Sequence, residues 1–274
     1  MMPWIAILAA SLQAQAADGP KVDENLAYMK SVLAPYRLAR EGDRPGPLAP
    51  GPEPAFRMGK QAAFDMTDGA IFLWTGDGGR PEAAAQVYQI KNRPGPGTHW
   101  ALELVSLSTT TLAADRDGKP TWSPRRPGVE FKAVPDAPKP SDNPAERSRQ
   151  MKALAREFKL SDDFRSRGWS ELRLLPTPLA RYGEDGSGVL EGWLLAYAQG
   201  TDLEAFLLLE AREATNGPEW HYAFAPMTCF ALKATREGKV AWEVPRRPLN
   251  DPTRPFFGLF DLPPGGKTPE EAPR

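Results

Sequence analysis

The chain has 274 residues, 41% hydrophobic, 25% charged and 9% aromatic, the composition of a folded protein with a sizeable core, which excludes disorder along its whole length. A formal charge of −1 supplies no basic surplus for a phosphate backbone or an anionic membrane surface, so nucleic acid is not an expected partner. Thirty Pro and 24 Gly exclude an architecture dominated by long helices, because proline breaks helices and cannot donate to a sheet.

Residues 1–16 are an apolar stretch ending in small residues, read as a secretory signal cut near Ala16 and leaving an exported product, periplasmic or extracellular. No later apolar run approaches the roughly 20 residues of a membrane-spanning helix. A first helix is predicted over residues 23–34, stopped by Pro35, and a Pro-rich linker over 42–54. Short strands follow at 70–75, 84–90, 100–106 and 110–114, with Asp117-Gly118 at a hairpin turn that needs positive φ. A second Pro-rich stretch at 133–144 leads to a helix with Asn143 as N-cap, Pro144 at its first position and Glu146 closing a capping box. That helix is predicted to run to about Leu160, with Met151, Leu154, Ala155 and Phe158 on one apolar face. Strands at 190–198, 205–211, 220–225 and 228–234 follow, then a hairpin at Glu237-Gly238, the apolar run 256–260 that should dock, and a disordered tail over 263–274.

The chain matches itself. Pro52-Glu-Pro-Ala-Phe-Arg-Met-Gly59 aligns with Pro176-Thr-Pro-Leu-Ala-Arg-Tyr-Gly183, and Asp115-Arg-Asp-Gly-Lys-Pro-Thr-Trp122 with Thr235-Arg-Glu-Gly-Lys-Val-Ala-Trp242. Both copies then reach Arg-Arg-Pro, at Arg125-Arg126-Pro127 and Arg246-Arg247-Pro248. Collinear matches at a nearly constant offset read as a duplication. The expected layout is a signal peptide over 1–16, a first helix-plus-sheet repeat over 21–131, a Pro-rich linker over 132–142, a second repeat over 143–250 and a tail over 251–274. The fold class is α+β: two diverged copies of a helix followed by a four- to five-stranded antiparallel meander, with an edge-to-edge junction into one curved sheet as the expected way of joining them.

Chemistry is sparse. Cys229 lies in an apolar run with no adjacent His or cation to lower its pKa, which reads as a structural thiol. His99 and His221 stand on opposite sides of their matched Trp residues, so they share no role, and zinc has too few ligands. Asp115 and Asp117 read as hairpin residues rather than calcium ligands. Glu82 with Glu204, or Asp68 with Glu191, would need a known separation to act as a glycosidase pair, and their recurrence favours a structural task. No phosphate loop and no G-x-S-x-G elbow occurs, and no catalytic residue, metal or cofactor is assigned. The sharpest candidate is the doubled Arg-Arg-Pro with its nearby indole: Trp122, Arg125 and Arg126, and Trp242, Arg246 and Arg247. Guanidinium forks beside an indole suit acidic sugars or carboxylates. The competing expectation is that these arginines lie over the two indoles or pair with Glu130 and Glu243.

The segments Trp122-Ser-Pro-Arg-Arg-Pro-Gly-Val-Glu-Phe131, Gln150-Met-Lys-Ala-Leu-Ala-Arg-Glu-Phe158 and Glu171-Leu-Arg-Leu-Leu-Pro176 resemble uncharacterised exported proteins of planctomycete bacteria. The resemblance implies export and a two-part layout, and it carries no activity. The expectation is therefore a non-catalytic exported binding or structural module of the cell envelope, whose partner is an acidic glycan or an envelope protein. The alternative is a secreted hydrolase of carbohydrate or ester substrates.

Overall fold

Strands whose successive side chains are all apolar must be covered on both faces. The computed structural model of the protein, which describes residues 19–40, 48–60, 66–91, 99–184, 188–260 and 262, meets that demand by stacking four layers. The signal segment with its cleavage site near Ala16 and the tail over 263–274 lie outside the described residues.

The first half runs α1 (Gly19–Leu33), β1 (Tyr36–Arg40), β2 (Phe56–Met58), β3 (Met66–Thr75), β4 (Pro81–Ile90), β5 (His99–Ser106), β6 (Leu112–Arg116) and β7 (Lys119–Trp122), followed by β8 (Lys132–Ala133). The second runs α2 (Pro144–Glu157), β9 (Phe158–Asp163), β10 (Ser170–Glu171), β11 (Arg173–Leu174), β12 (Ala180–Glu184), β13 (Val189–Gln199), β14 (Asp202–Arg212), β15 (Glu219–Pro226), β16 (Ala231–Arg236) and β17 (Lys239–Val244), and the described chain closes on β18 (Phe256–Phe260). Among the described residues the protein is thus mostly antiparallel sheet with two α-helices, an α+β fold. Neither helix is long and apolar enough to cross a membrane.

Each half holds a large sheet and a small one. The large sheets run β18-β5-β4-β3-β2 and β11-β13-β14-β15-β8, with β12 also on β13; the small ones run β1-β6-β7 and β10-β9-β16-β17. The strand at 110–114, expected to continue the first meander, instead leaves it and pairs as β6 with β1. One edge strand of each large sheet comes from the other half: β8 adds to β15 and β18 adds to β5.

Among the described residues the large sheets are not joined edge to edge. They are separate hydrogen-bonded sheets whose inner faces share one apolar cluster, with Ile71, Leu73, Ala84 and Val105 on one side and Leu194, Ala196, Phe206 and Leu208 on the other. Alternation on β14 makes this possible, since Ala205, Leu207 and Leu209 face the α2 side while Phe206 and Leu208 face the central cluster. Each fully buried Leu or Phe there stabilises the stack by about 1.5–3 kcal/mol.

The second helix ends earlier than its pattern suggested. Met151, Leu154 and Ala155 are its buried face, but Phe158 and Leu160 belong to β9, where they alternate inward. A 3.6-residue and a two-residue period share those positions, so the pattern could not separate them. Asn143 Oδ1 accepts from Ala145 N (2.9 Å) and Glu146 N (3.2 Å), while Glu146 pairs with Arg149 instead of reaching back. Both hairpins take positive φ at both turn residues: Asp117 at 53° with Gly118 at 76°, and Glu237 at 51° with Gly238 at 75°. Asp115 Oδ1 accepts from Gly118 N at 2.9 Å, the turn role expected of it.

Candidate functional site, an arginine-lined cleft

The strand exchange creates two crossovers, one from β7 to β8 and one from β17 to β18, and each begins with Arg-Arg-Pro. Prolines keep both segments extended and deprive them of donors, so they are held by a few backbone bonds. Ser123 N donates to Pro252 O (2.9 Å) and Arg125 N to Thr253 O (3.0 Å), tying the crossovers to each other. Gly128 N and Val129 N both donate to Ser108 O, at 2.9 and 3.2 Å. Glycine is required at 128, because a Cβ there would lie 2.0 Å from the Ser106 carbonyl oxygen.

Where the crossovers meet β15 and β17, a cleft of about 700 Å³ opens. Among the described residues its cations are Arg126, Arg246, Arg247, Arg254, Arg212 and Lys132, and Glu130 is the one acid lining it. Its aromatic walls are Trp242 and Phe224, stacked at 5.3 Å and 22°, with Phe131 and Phe256.

Two of the arginines are charge-compensated. Arg212 pairs with Glu210 at 2.6 Å and rests 3.8 Å from the Phe131 ring centre, and Arg254 pairs with Asp251 at 3.0 Å. Among the described residues no carboxylate pairs with Arg126, Arg246 or Arg247. Arg247 is the extreme case. Its Nη2 makes only long bonds to Phe230 O (3.4 Å) and Pro245 O (3.3 Å), and its buried Nη1 has no partner. Burial, with a smaller contribution from the positive charges of Arg126 and Arg254, pushes its pKa down to about 10. A guanidinium desolvated beside two others is costly until an anion arrives.

Of the six residues singled out from sequence, Arg126, Trp242, Arg246 and Arg247 converge on this cleft. Trp122 and Arg125 do not. Trp122 is 1% exposed in the first core and donates through Nε1 to Arg254 O at 2.8 Å. Arg125 borders a separate depression of about 460 Å³ with Arg40 and Thr111. Among the described residues the arginines neither cover the indoles nor pair with Glu130 or Glu243; Arg246 instead lies 5.8 Å from the Phe230 ring centre. Sequence reasoning missed Arg212, Arg254, Phe131 and Phe224. Only the position of Phe131 and Arg254 a few residues behind an Arg-Arg-Pro offered a signal, since Arg212 and Phe224 reach the cleft through sheet pairing.

The remaining candidates resolve into structural tasks. Asp68 accepts from Arg57 at 2.5 Å and from Asn25 at 3.0 Å, tying α1 to its sheet. Glu191 accepts from Arg147 at 3.0 Å and from Ser148 at 2.9 Å, tying α2 to its own. Glu82 lies 3.1 Å from Arg80. Glu204 instead lies buried near buried Glu103 and half-buried Asp202 between the large sheets, where Gln86 donates to Asp202 (2.8 Å) and Tyr88 to Glu103 (3.2 Å). Burial pushes all three carboxyls up, Glu103 to about 8, and none of them lines either cleft. The Cys229 thiol is half-buried and raised by burial, and its carbonyl accepts from Arg247 N at 2.9 Å. His221 lies 3.8 Å from Glu219 and is lowered by burial and then by Arg212.

Comparison of the chain with protein-family models, with curated proteins and with solved structures finds no match, so the functional reading rests on this geometry alone.

Proposed function

We propose that the protein is a non-catalytic exported binding module of the cell envelope that takes an acidic glycan in the arginine-lined cleft. The observation that carries this reading is Arg247, a half-buried guanidinium whose buried Nη1 is unpartnered and which has no carboxylate beside it among the described residues, lining a cavity with Arg126 and Arg246. A carboxylate would accept from the arginine forks while a sugar ring covers Trp242. The leader over residues 1–16 supports export. The hydrolase alternative lacks support in the cleft, whose one lining carboxylate is Glu130.

The two halves are, in this reading, diverged copies of one unit. What supports it is recurrence of register: β1 pairs β6 as Tyr36 with Arg116, and β9 pairs β16 as Phe158 with Arg236. Trp122 faces Ala114 and Trp242 faces Ala234, each followed by a bulge.

The test is a thermal-shift and calorimetric titration of the mature protein with an oligogalacturonide and, as the neutral control, a cello-oligosaccharide of the same length. The acidic glycan should raise the melting temperature by mass action and the neutral one should not, and Arg247→Met should abolish the shift. Equal response to both glycans, or to neither, discards the reading.

A further inference from the structure

Glu82 and Glu204 hold matching places in the two large sheets. The carbonyl of each accepts, at 2.8 Å, from the first backbone N–H past a neighbouring strand, Leu107 after β5 and Met227 after β15. Their surroundings carry opposite charge. Glu82 lies 3.1 Å from Arg80, two residues earlier, and 3.8 Å from Arg40 on β1. Two residues before Glu204 stands Asp202. On β9, Asp162 is opposite Leu232 in register, as Arg40 on β1 is opposite Leu112. The second half therefore places two further acids where the first half has two guanidinium groups.

Glu204 and Asp162 are buried, Asp202 is half-buried, and neither oxygen of Asp162 has a hydrogen-bond partner among the described residues. Glu103 on β5 and Tyr88 and Gln86 on β4 face this group from the other large sheet, Asp163 adjoins Asp162, and Thr228 and Cys229 close it beyond β15. Among the described residues no Lys or Arg pairs with Glu103, Asp162, Asp202 or Glu204. Burial, then the charges of Asp202 and Asp162, raises Glu204, and burial lifts Asp162 and Asp202 to about 6.

Residues 227–230 connect the acids to the arginine-lined cleft. Met227 N donates to Glu204 O at 2.8 Å, and the Thr228 hydroxyl stands close enough to the Glu204 carboxyl to favour its ionised form. Cys229 O accepts from Arg247 N at 2.9 Å, and Phe230 O from Arg247 Nη2 at 3.4 Å. Arg246 and Arg247 act on the Cys229 thiol from the cleft side, and Glu103 acts on it from the acid side.

We infer that the acids around Glu204 form a pH-sensitive latch on the cleft: neutral, they seat residues 227–230 and with them Arg247; ionised, they drive that segment outward. Opening hydrates the carboxyls and returns them towards the ordinary range near 4, so it releases protons and rising pH favours it. The effect on a ligand rests on the acidic-glycan reading of the cleft, because a displaced Arg247 no longer meets a carboxylate. The latch itself does not depend on that reading.

Hydrogen exchange read by mass spectrometry over residues 227–232, corrected for the intrinsic pH dependence of exchange, tests it. Opening should be at least roughly tenfold greater at pH 8.5 than at pH 5 in the wild type, and Glu204→Gln should remove most of that rise. Asp202→Asn is the second variant and should act in the same direction. Residues 70–74, in β3, should keep their protection throughout; an equal rise there would mean global unfolding and overturn the latch. Exchange that ignores pH, or that rises equally in wild type and both variants, refutes the latch while the cleft stands. Affinity for an oligogalacturonide should fall over the same pH interval in the wild type and hold in Glu204→Gln. Unchanged affinity while the segment opens would refute the link to the cleft. If the segment opens as expected and the glycan binds at neither pH, the latch stands and the glycan reading fails.

Discussion

Trp122 and Trp242 hold matching places opposite Ala114 and Ala234, yet only Trp122 is roofed, its Nε1 donating to the Arg254 carbonyl at 2.8 Å. Trp242 instead stacks on Phe224 at 5.3 Å and lines the cleft. The β17–β18 crossover covers one indole, and the β7–β8 crossover stops short of the other. This asymmetry opens the site.

Truncating the two indoles should therefore have opposite signatures. Trp122→Ala leaves a large cavity in the first core and should cost about 3–5 kcal/mol in urea denaturation. Trp242→Ala should cost distinctly less and should weaken oligogalacturonide binding, read by calorimetry. A larger stability loss at Trp242 than at Trp122 would contradict the roofing argument.

Arg247→Met should separate stability from binding. Removing an uncompensated, half-buried charge in favour of an apolar chain of similar length should raise the stability of the ligand-free protein by roughly 1 kcal/mol. The same variant should lose the glycan-induced shift. Lower stability of the unliganded variant would show that Arg247 is a structural group.

The acid group between the large sheets sets a pH dependence. Glu103 is raised to about 8, by burial first and then by the Asp202 charge, and Asp162, fully buried on β9, is raised to about 6 by burial. At low pH these carboxyls are neutral in both folded and unfolded chains. As pH rises past about 4 the unfolded chain ionises first, so stability falls until the folded groups ionise too, near pH 8 for Glu103. Glu103→Gln should match wild type near pH 3.5 and exceed it by on the order of 4 kcal/mol at pH 8.5, measured by urea midpoints. Identical pH profiles for the two proteins would remove Glu103 from this role.

Gly128→Ala places a methyl group against the Ser106 carbonyl, a backbone atom that cannot swing aside. The expected outcome is a loss of about 1–3 kcal/mol with weakened glycan binding, because residues 126–131 form one wall of the cleft. Gly118→Ala, at φ 76° with open space around its Cβ, should cost stability alone.

The sequence by itself determined the local pieces of this protein. Strand periodicity at 84–90 and 205–211, the N-cap at Asn143 and the positive-φ hairpins at Asp117-Gly118 and Glu237-Gly238 follow from side-chain spacing and backbone preference, which neighbouring residues carry. The Arg-Arg-Pro triplets were legible for the same reason. Only the tertiary structure decided that β8 and β18 exchange between halves, that Trp122 is sealed while Trp242 lines a cleft, and that Glu103, Asp202 and Glu204 meet across the sheets. Sheet edges bond through backbone groups that every residue shares, so no side-chain pattern names the partner strand. The cleft exists only where two crossovers meet, and nothing local in either segment encodes that meeting.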